Sequence, residues 1–493
     1  MQLIESTKQN KVRQKQSFFN SSSAVFLCLV DNKKNIDTKI SFLNHFLVKR
    51  NIKVVSLRLS IRKDNGELIK EKIEIINEPK VYSYSISQLL NNQALDSGVF
   101  SAFLEFTSTE NLAVPFCAVV VSIYSSETID HVHTYGRALE TKEINTKIDF
   151  KESYETGWTI SSGNNLFNNY AVLHNGRLPS KITLKIFLYK EGALFYSQEL
   201  EEQDLSPFGT LILHLEEFLK EKNKCTKALE EIQSSKYGMI EAKLNIKGLC
   251  ATFPRLLYLA TERDLSELPD SILNFRKINI THSNFDFDKA EQPKSELNFG
   301  FINSPKYPQN IINGFRYYFC SDLKDVRIIQ EKATSLPFEL NPLESIKVSS
   351  KNNLPSRLVG AHWYKWNKSN LYKETSTGTF IKENSREDGF WHWGLLSTDG
   401  IKFDSIISLI NPFASNTQEN KLELTLFGEY GFISSEAIQF VGKSFSAKIN
   451  QYSHQISKGC IWYTLTGKGC GSFHVFSCHY FPDLKDGTME HGF

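Results

Sequence analysis

Histidine is the residue type in this 493-residue sequence that is best placed to do chemistry. His131 and His133 are two residues apart, and side chains with this spacing on a β-strand point to the same side, so both imidazoles could reach one metal ion. Imidazole and carboxylate together are ligands for zinc, iron or manganese, and an open coordination position would supply a Lewis acid or a bound hydroxide. The sequence therefore predicts candidate metal ligands at His131, His133, His282, His479, Glu490 and His491.

These histidines also have a purely structural interpretation. They fall where repeated segments of the sequence end, so inherited packing would explain their positions equally well. A histidine at the end of a strand commonly hydrogen-bonds to the backbone through its ring nitrogens. Both interpretations are open at this point.

Aromatic side chains form a second concentration. Four of the six tryptophans lie in two short segments, 362–366 and 390–394. Flat rings side by side on a strand suit the faces of sugars, the bases of single-stranded nucleic acid or a protein hot spot. The alternative is a core, in which each large ring buries roughly 150–250 Å². The candidate ligand-binding residues are His362, Trp363, Trp366, Arg386, Trp391, His392 and Trp393.

The sequence carries no signature of a common catalytic site. It has no nucleophile elbow, phosphate-binding loop or dinucleotide-binding turn. The Gly-rich segment 467–471 lacks the spacing of a phosphate-binding loop and precedes a strand pattern, which favours a hairpin turn. A Ser/His/Asp triad is assembled in space, so the sequence neither predicts nor excludes one.

Composition narrows the classes of partner. Lys+Arg 57 and Asp+Glu 55 leave a net charge of +2, so no overall field attracts nucleic acid or an anionic membrane. The longest apolar stretch, 113–123, is far shorter than the roughly 20 residues of a membrane-spanning helix. We expect no nucleic-acid partner and no membrane span.

The cysteines and the N-terminus bear on location. Eight cysteines are scattered without metal-binding or redox spacing, mostly in apolar strand-like surroundings. We interpret them as reduced thiols and expect a cytoplasmic protein. Residues 1–23 are polar and carry no secretory signal, which predicts a disordered tail.

Alternation of apolar and polar residues is the dominant local pattern and is typical of β-strands with one buried face. Residues 55–61 alternate before the turn Asp64-Asn65-Gly66 and predict a hairpin, and the pattern recurs at 182–196. Asn44 and Asn168 precede the two turn glycines at similar distances, and a Gly-led strand follows each hairpin. These landmarks predict a duplication.

The predicted copies cover 42–135 and 166–285, and a fainter third copy begins at Ile407. The helical pattern 216–234 interrupts the second copy and predicts an inserted helix. The tract 368–388 is polar and predicts a loop between the two tryptophan segments.

Together these patterns predict a mainly β protein of tandem antiparallel β-sandwich domains, jelly-roll-like or immunoglobulin-like, with one inserted helix in the second copy. Roughly 100–200 residues per domain is typical, so several domains are expected. The predicted divisions are a disordered tail at 1–23, a first β-sandwich at 24–150, a second at 151–290 and a Trp/His-rich β domain at 291–493.

Three functions remain open on this evidence. The favoured one is a non-catalytic binding or scaffold protein whose C-terminal aromatic surface recognises a carbohydrate or a protein partner. The first alternative is an enzyme that depends on a divalent transition metal, the only candidate cofactor, and acts on a sugar or sugar-nucleotide. The second is a structural or assembly protein, whose sheet edges would pair between chains. The sequence leaves the oligomeric state open.

Overall fold

Antiparallel β-sheets make up most of the described protein, which confirms the mainly β prediction. The structure is a computed structural model. It describes residues 20–91, 97–108, 114, 117–135, 137–140, 148–155, 158–161, 167–190, 193–215, 230–231, 234, 239–250, 255–263, 272–282, 285–286, 294–299, 311–317, 326–329, 338–339, 346–354, 360–366, 371, 373–377, 390–399, 403–411, 414–449, 459–469 and 473–493.

The first nine strands form two sheets, with the orders β4-β3-β6-β1-β9 and β5-β2-β7-β8. These strands are β1 (Asn20–Asp31), β2 (Asp37–Leu43), β3 (Val55–Arg62), β4 (Leu68–Ile76), β5 (Val81–Ser85), β6 (Ser97–Thr107), β7 (Ala118–Tyr124), β8 (Ile129–Tyr135) and β9 (Arg137–Glu140). Two short helices, α1 (His45–Val48) and α2 (Ile86–Leu90), follow β2 and β5.

The rest of the chain forms three further pairs of sheets. The second pair contains β10 (Ile148–Glu155), β11 (Trp158–Ser161), β12 (Phe167–His174), β13 (Ser180–Lys190), β14 (Ala193–Glu199), β15 (Gln203–Leu205), β16 (Thr210–His214), β17 (Met239–Cys250), β18 (Arg255–Arg263), β19 (Phe275–His282) and β20 (Phe285–Asp286). The third contains β21 (Lys294–Phe299), β22 (Ile311–Tyr317), β23 (Val326–Ile329), β24 (Phe338–Glu339), β25 (Ile346–Leu354), β26 (Gly360–Trp366) and β27 (Lys373–Thr377). The fourth contains β28 (Phe390–Ser397), β29 (Asp404–Ile410), β30 (Glu419–Gly428), β31 (Gly431–Val441), β32 (Ser444–Lys448), β33 (Ile461–Gly467), β34 (His474–Tyr480) and β35 (Gly487–His491).

All four pairs of sheets share one strand order, and we call each pair a unit. With β1 to β8 as positions 1 to 8, unit one has the orders 4-3-6-1 and 5-2-7-8. Unit four repeats both orders from β28 to β35. In unit two the eight positions are held by β10, β12, β13, β14, β16, β17, β18 and β19. In unit three they are held by β21 to β27, with no strand at position 4 among its described residues.

The predicted copies can be located on this strand order, and the predicted domain divisions stay a prediction. The two predicted copies correspond to units one and two, and the third copy at Ile407 begins in position 2 of unit four. Unit three lies between them without having been predicted. The order also differs from the immunoglobulin fold, in which the first two strands lie in the same sheet, because positions 1 and 2 lie in different sheets here.

Several predicted segments fall partly outside the described residues. The predicted tail 1–23 overlaps β1 at residues 20–23, and residues 1–19 are not described. Most of the predicted inserted helix, 216–234, is not described either. In the predicted loop 368–388, residues 373–377 form β27, which corrects that part of the prediction.

The first predicted hairpin, β3 and β4, shows how the local sequence determines strand pairing and the buried face. Leu57, Leu59 and Ile61 are buried on one face of β3, and β4 pairs with it in antiparallel register. Gly66 in the connecting turn has a positive φ of 88°, a conformation that glycine adopts without the usual steric cost. The alternation therefore confirms the hairpin prediction.

Hydrophobic clusters run across the boundaries between units. One large cluster contains Phe106 of unit one, Leu257 of unit two and Trp462 of unit four. Burial of apolar area at these boundaries stabilises the contacts by roughly 25 cal/mol per Å². Smaller clusters join unit three to unit four and unit two to unit three, through Trp366 with Met489 and Ala260 with Leu371.

Two sequence-based expectations concern membranes and thiols. Within the described residues, no helix combines the length and apolar character needed to cross a membrane. The described cysteines, Cys28, Cys117, Cys460 and Cys478, are buried and free of disulfides. The cytoplasmic location stays a prediction.

Candidate functional site

The strands at position 8 of the four units, β8, β19, β27 and β35, meet inside the protein. Each is the edge strand of its own sheet. β8 contacts β19, β19 contacts β27, β27 contacts β35, and β35 contacts β8, so the four strands form a closed cycle. An edge strand carries a row of backbone groups without sheet partners, and burial requires that these groups be satisfied in another way.

Polar side chains satisfy the backbone of the next strand in the cycle. Between units one and two, Asp130 Oδ2 accepts a hydrogen bond from the Ile280 N–H at 2.6 Å. Between units two and three, Asn279 Oδ1 accepts from the Glu374 N–H at 3.0 Å. In both cases the side chain belongs to the earlier unit and the backbone to the later one.

The same direction continues around the cycle. The Thr375 hydroxyl of unit three donates to the Met489 carbonyl of unit four. Asp486 Oδ2, just before β35 in unit four, accepts from the Ile129 N–H of unit one at 3.0 Å. The four contacts therefore follow one rotational sense and close on the first unit.

A buried lysine from unit three reaches the junction of units four and one. Lys373 Nζ lies 2.9 Å from Asp486 Oδ2 and donates to the Ile129 carbonyl at 2.6 Å. Neither side chain of the ion pair is exposed to solvent. A buried pair of this kind needs both partners, because either charge left alone would be strongly destabilising.

A second lysine, from unit two, makes a related contact. Lys277 Nζ donates to the Glu127 carbonyl of unit one at 2.6 Å and to the Lys485 carbonyl of unit four at 2.9 Å. All four units thus contribute to one group of buried polar side chains. We call this group the central polar cluster: Thr128, Asp130, Lys277, Asn279, Lys373, Asp486 and Thr488.

Burial raises the pKa of Asp130, which is a carboxyl of the central polar cluster together with Asp486. Desolvation raises the pKa of Asp130 to about 7, although the Lys373 charge and hydrogen bonds from Thr488 and Ile280 act in the opposite direction. The Thr488 hydroxyl donates to Asp130 Oδ1 at 2.6 Å and accepts from the His131 N–H at 3.3 Å.

Two of the predicted metal ligands form a pair beside this cluster. The rings of His131 and His479 are perpendicular, with their centroids 4.7 Å apart. Burial lowers the pKa of His131 well below its usual value and lowers the pKa of His479 to about 3. Both imidazoles are therefore neutral near pH 7.

Three other predicted ligands come together where β8 meets β35. His133 Nδ1 donates to Glu490 Oε1 at 2.8 Å, and the same oxygen accepts from the His491 N–H at 2.9 Å. The ring centroids of His133 and His491 are 4.3 Å apart. One ligand atom from each residue lies within 4.8 Å of the others, and all three side chains are buried. We call these three residues the seam cluster, because they join unit one to unit four.

Electrostatics at the seam cluster favour an ionised carboxylate. Burial opposes ionisation of Glu490, but the charges of His133 and His491 and their hydrogen bonds outweigh it and lower its pKa. Burial, and then the Glu490 charge, raise the pKa of the neighbouring Tyr463 hydroxyl. An anionic oxygen between two imidazoles is a ligand set suited to a divalent cation.

The sixth predicted ligand, His282, lies on β19, and its side chain is outside the described residues. The structure thus places five of the six predicted ligands in two neighbouring groups, one at the seam and one beside the central polar cluster. Metal binding itself stays a prediction.

Trp366 lies at the boundary between units three and four. Its side chain is 1% exposed, and its Nε1 donates to the Gly487 carbonyl at 2.9 Å. A Cβ atom at Gly487 would lie only 2.2 Å from the indole, so this position requires glycine. Burial therefore favours the core interpretation for Trp366.

Trp393 lies at the boundary between units four and one. It is buried, with Lys49 Nζ 4.0 Å from its ring centroid and the Phe493 ring stacked on it at 5.8 Å. Trp391 and His392 are half-buried. Trp366 and Trp393 thus pack at contacts between units, where large rings commonly concentrate binding energy.

The structure gives no side-chain information for the other predicted ligand-binding residues. His362 and Trp363 belong to β26, but their side chains are outside the described residues, and Arg386 is not described. A ligand-binding role for this set stays a prediction.

Sequence reasoning missed the charged members of the central polar cluster. Lys277 offered a signal, because it is a charged residue in a strand that also contains Phe275 and Ile278. In the structure its side chain is only 7% exposed. Lys373 offered none, since the residues that follow it, 374–377, are all polar and the tract 368–388 was interpreted as a loop. Asp486 follows a charged turn and resembles an ordinary surface residue.

Comparisons with known proteins add no functional assignment. No family model and no curated protein matches the chain. Among solved structures, the BSP domain of a biofilm-associated protein is 8% identical over 96% of this chain and 95% of that chain, with a TM-score of 0.14. A calcium-binding mutant of Bacteroides uniformis beta-glucuronidase 2 is 9% identical over 54% of this chain and 26% of that chain, with a TM-score of 0.13.

A putative beta-galactosidase from Bacteroides fragilis is also 9% identical, over 56% of this chain and 34% of that chain, with a TM-score of 0.13. The chain therefore spans about a quarter to a third of the two glycosidases. TM-scores this low support no argument about fold or function.

Proposed function

We propose that the protein is a non-catalytic scaffold in which four tandem β-sandwich units are closed into a ring by their position-8 strands. The observation that carries this proposal is the cycle of side-chain to backbone hydrogen bonds that runs from unit one through unit four and back to unit one. Head-to-tail contacts of one kind close into a ring when the rotation between neighbours permits it.

Packing supports the same arrangement. Hydrophobic clusters join units one and two, two and three, three and four, and four and one. The last boundary is the one that a row of independent domains would lack. Trp462 of unit four supports it directly, because its Nε1 donates to the Ser41 hydroxyl of unit one at 3.1 Å.

The centre of the ring is better suited to holding the units together than to catalysis. Its lysines and carboxylates are buried and bonded to each other or to backbone groups of neighbouring units. Buried hydrogen-bonded networks of this kind favour one specific arrangement of the elements that they join. We therefore propose a structural role for the central polar cluster.

Recognition of a carbohydrate through the aromatic set is a weaker proposal, because burial leaves Trp391 and His392 as its partly accessible described members. A protein partner is better supported, because the described surface carries several large exposed apolar side chains. The large exposed apolar side chains fall mainly on or beside position-4 strands, at an edge of the sheet that does not contain the position-8 strand: Leu68, Ile73, Ile75, Leu194, Tyr430, Phe432 and Val441.

Small-angle X-ray scattering of the full chain tests the ring. A compact chain of 493 residues has an expected radius of gyration of about 23 Å. Four compact units in an open row would give more than about 30 Å, when the radius of each unit from the same relation is combined with the distances between unit centres. We expect the smaller value for a monomer in dilute solution, and the larger value would contradict the proposal.

A further inference from the structure

The seam cluster has the composition and geometry of a metal site. Imidazole nitrogen and carboxylate oxygen bind zinc at about 2.0–2.2 Å, so neighbouring ligand atoms of a tetrahedral ion are about 3.3 Å apart. The ligand atoms of His133, Glu490 and His491 lie within 4.8 Å of one another, and the closest pair is 2.8 Å apart. The ion would replace the proton that His133 Nδ1 donates to Glu490 Oε1, which is released to solvent, and small side-chain adjustments would bring all three ligand atoms to one ion.

The surroundings already orient one of these ligands. His491 Nδ1 lies 3.1 Å from the Gly492 carbonyl oxygen, which only accepts hydrogen bonds. Nδ1 must therefore carry the proton, and Nε2 is the nitrogen with a lone pair to offer. Histidine ligands of metal ions commonly donate their other N–H to a backbone carbonyl in this way.

The chain terminus that carries two of the ligands is held in place. The Phe493 N–H donates to the Trp393 carbonyl at 2.8 Å, and the Gly492 N–H donates to the Val475 carbonyl at 2.8 Å. The Phe493 ring also packs edge-on against His133, with centroids 5.1 Å apart. The hydrogen bonds thus hold Glu490 and His491 within unit four, and the ring contact places them beside His133 of unit one.

An independent observation points to a further ligand at this place. The Tyr463 hydroxyl is buried and has no hydrogen-bond partner among the described residues. It lies beside Gly492, where a Cβ atom would be 2.6 Å from it. Water held on an ion by the seam cluster would give this hydroxyl a partner, since three protein ligands leave one tetrahedral position open.

We propose that His133, Glu490 and His491 bind one divalent transition-metal ion of the zinc type, whose fourth ligand is a water next to Tyr463. The site stands on its own geometry, and only its role in fastening unit four to unit one rests on the proposed ring. Three protein ligands and a bound water are the coordination pattern of a catalytic zinc ion, but the burial of all three side chains favours a role in joining the two units.

Metal titration of the full chain tests the site. Protein stripped with a chelator is titrated with Co²⁺, whose visible absorption reports tetrahedral coordination, and with Zn²⁺ in competition. We expect one ion per chain and a higher unfolding temperature with the ion bound. The variants E490Q and H491Q are expected to lose at least about tenfold in affinity. H479Q is the matched control and should bind as the wild type does.

The possible outcomes distinguish the proposed metal site from the proposed ring of four units. If the wild type binds no ion at micromolar Co²⁺ or Zn²⁺, or if E490Q and H491Q bind as well as H479Q does, the metal site is wrong. Circular dichroism and scattering on the same stripped samples report folding and compactness. A compact wild type without an ion would leave the ring standing, whereas an extended wild type that binds the ion would contradict the ring alone.

Discussion

Lys373→Met is expected to lower the free energy of unfolding by about 3–5 kcal/mol. The substitution keeps the volume of the side chain but removes its charge, and Asp486 then remains as a buried carboxylate without its cation. The Ile129 carbonyl also loses its 2.6 Å hydrogen bond. Urea unfolding monitored by tryptophan fluorescence measures the change.

Two variants distinguish loss of the buried pair from a general effect of removing lysine. Lys448→Met breaks the partly exposed pair with Asp404, and exposed pairs contribute less than about 1 kcal/mol. The double variant K373M/D486N removes both charges and should recover part of the lost stability. A K373M protein within about 1 kcal/mol of the wild type would contradict the structural role of the central polar cluster.

Acidification from pH 6.5 to 4.5 is expected to destabilise the wild type by about 2–3 kcal/mol more than it destabilises His479→Gln. The folded state holds His479 neutral, with its pKa lowered to about 3, whereas the unfolded chain binds a proton near pH 6.5. The stabilisation is therefore present above pH 6.5 and is lost as the pH falls toward 3. Glutamine keeps a polar side chain but does not titrate in this range.

Asp130 supplies a matched effect of opposite sign. Its pKa is raised to about 7, so the folded state keeps a proton that the unfolded chain releases near pH 4. This contribution is full below pH 4 and is lost as the pH rises to 7. Asp130→Asn removes it, so this variant should lose more stability than the wild type on acidification.

Urea unfolding at a series of pH values in chelator-treated buffer measures both effects. The expected order of stability loss between pH 6.5 and 4.5 is D130N, then wild type, then H479Q. Parallel pH curves for the three proteins would show that neither group changes its protonation on unfolding, and the buried state assigned to both would then be wrong.

The sequence allowed the antiparallel β-strands to be predicted, because they depend on local alternation. The predicted Gly-led strands overlap the described position-6 strands of units one, two and four, which are β6, β17 and β33. Alternation survives divergence, since one face of each strand must still pack on a core.

Exact correspondence between copies was harder to predict. Asn44 was paired with Asn168, but the structure places Asn175 in the matching role. The side-chain amides of Asn44 and Asn175 both donate to backbone carbonyls just before position 5 of their units, at Glu78 and Leu205. Two asparagines a few residues apart cannot be distinguished by spacing alone.

Unit three and the ring centre could not be predicted for a different reason. The position-8 strand of unit three, Lys373–Thr377, has no apolar residue, because its buried partners are polar groups of other units. Its strand character depends on contacts between distant parts of the chain. Local patterns report burial against apolar cores and miss burial against a polar network.

The functional residues show the same division. Sequence reasoning selected His133, Glu490 and His491 by residue type, and the structure brings them together. It left the tryptophans between surface and core, and burial favours the core for Trp366 and Trp393. Residue type limits the chemistry that is possible, whereas contacts between units decide which side chains meet.

Hydrogen–deuterium exchange at the position-8 strands tests the closed ring most directly. The backbone N–H groups of Ile129, Ile278, Ile280 and Glu374 donate to side chains of a neighbouring unit. We predict that peptides covering 129–135 and 275–282 exchange slowly, and that β31, an edge strand in the other sheet of unit four, exchanges quickly. Position-8 peptides that exchange as fast as β31 would mean that these edges face water, and the closed ring would be contradicted.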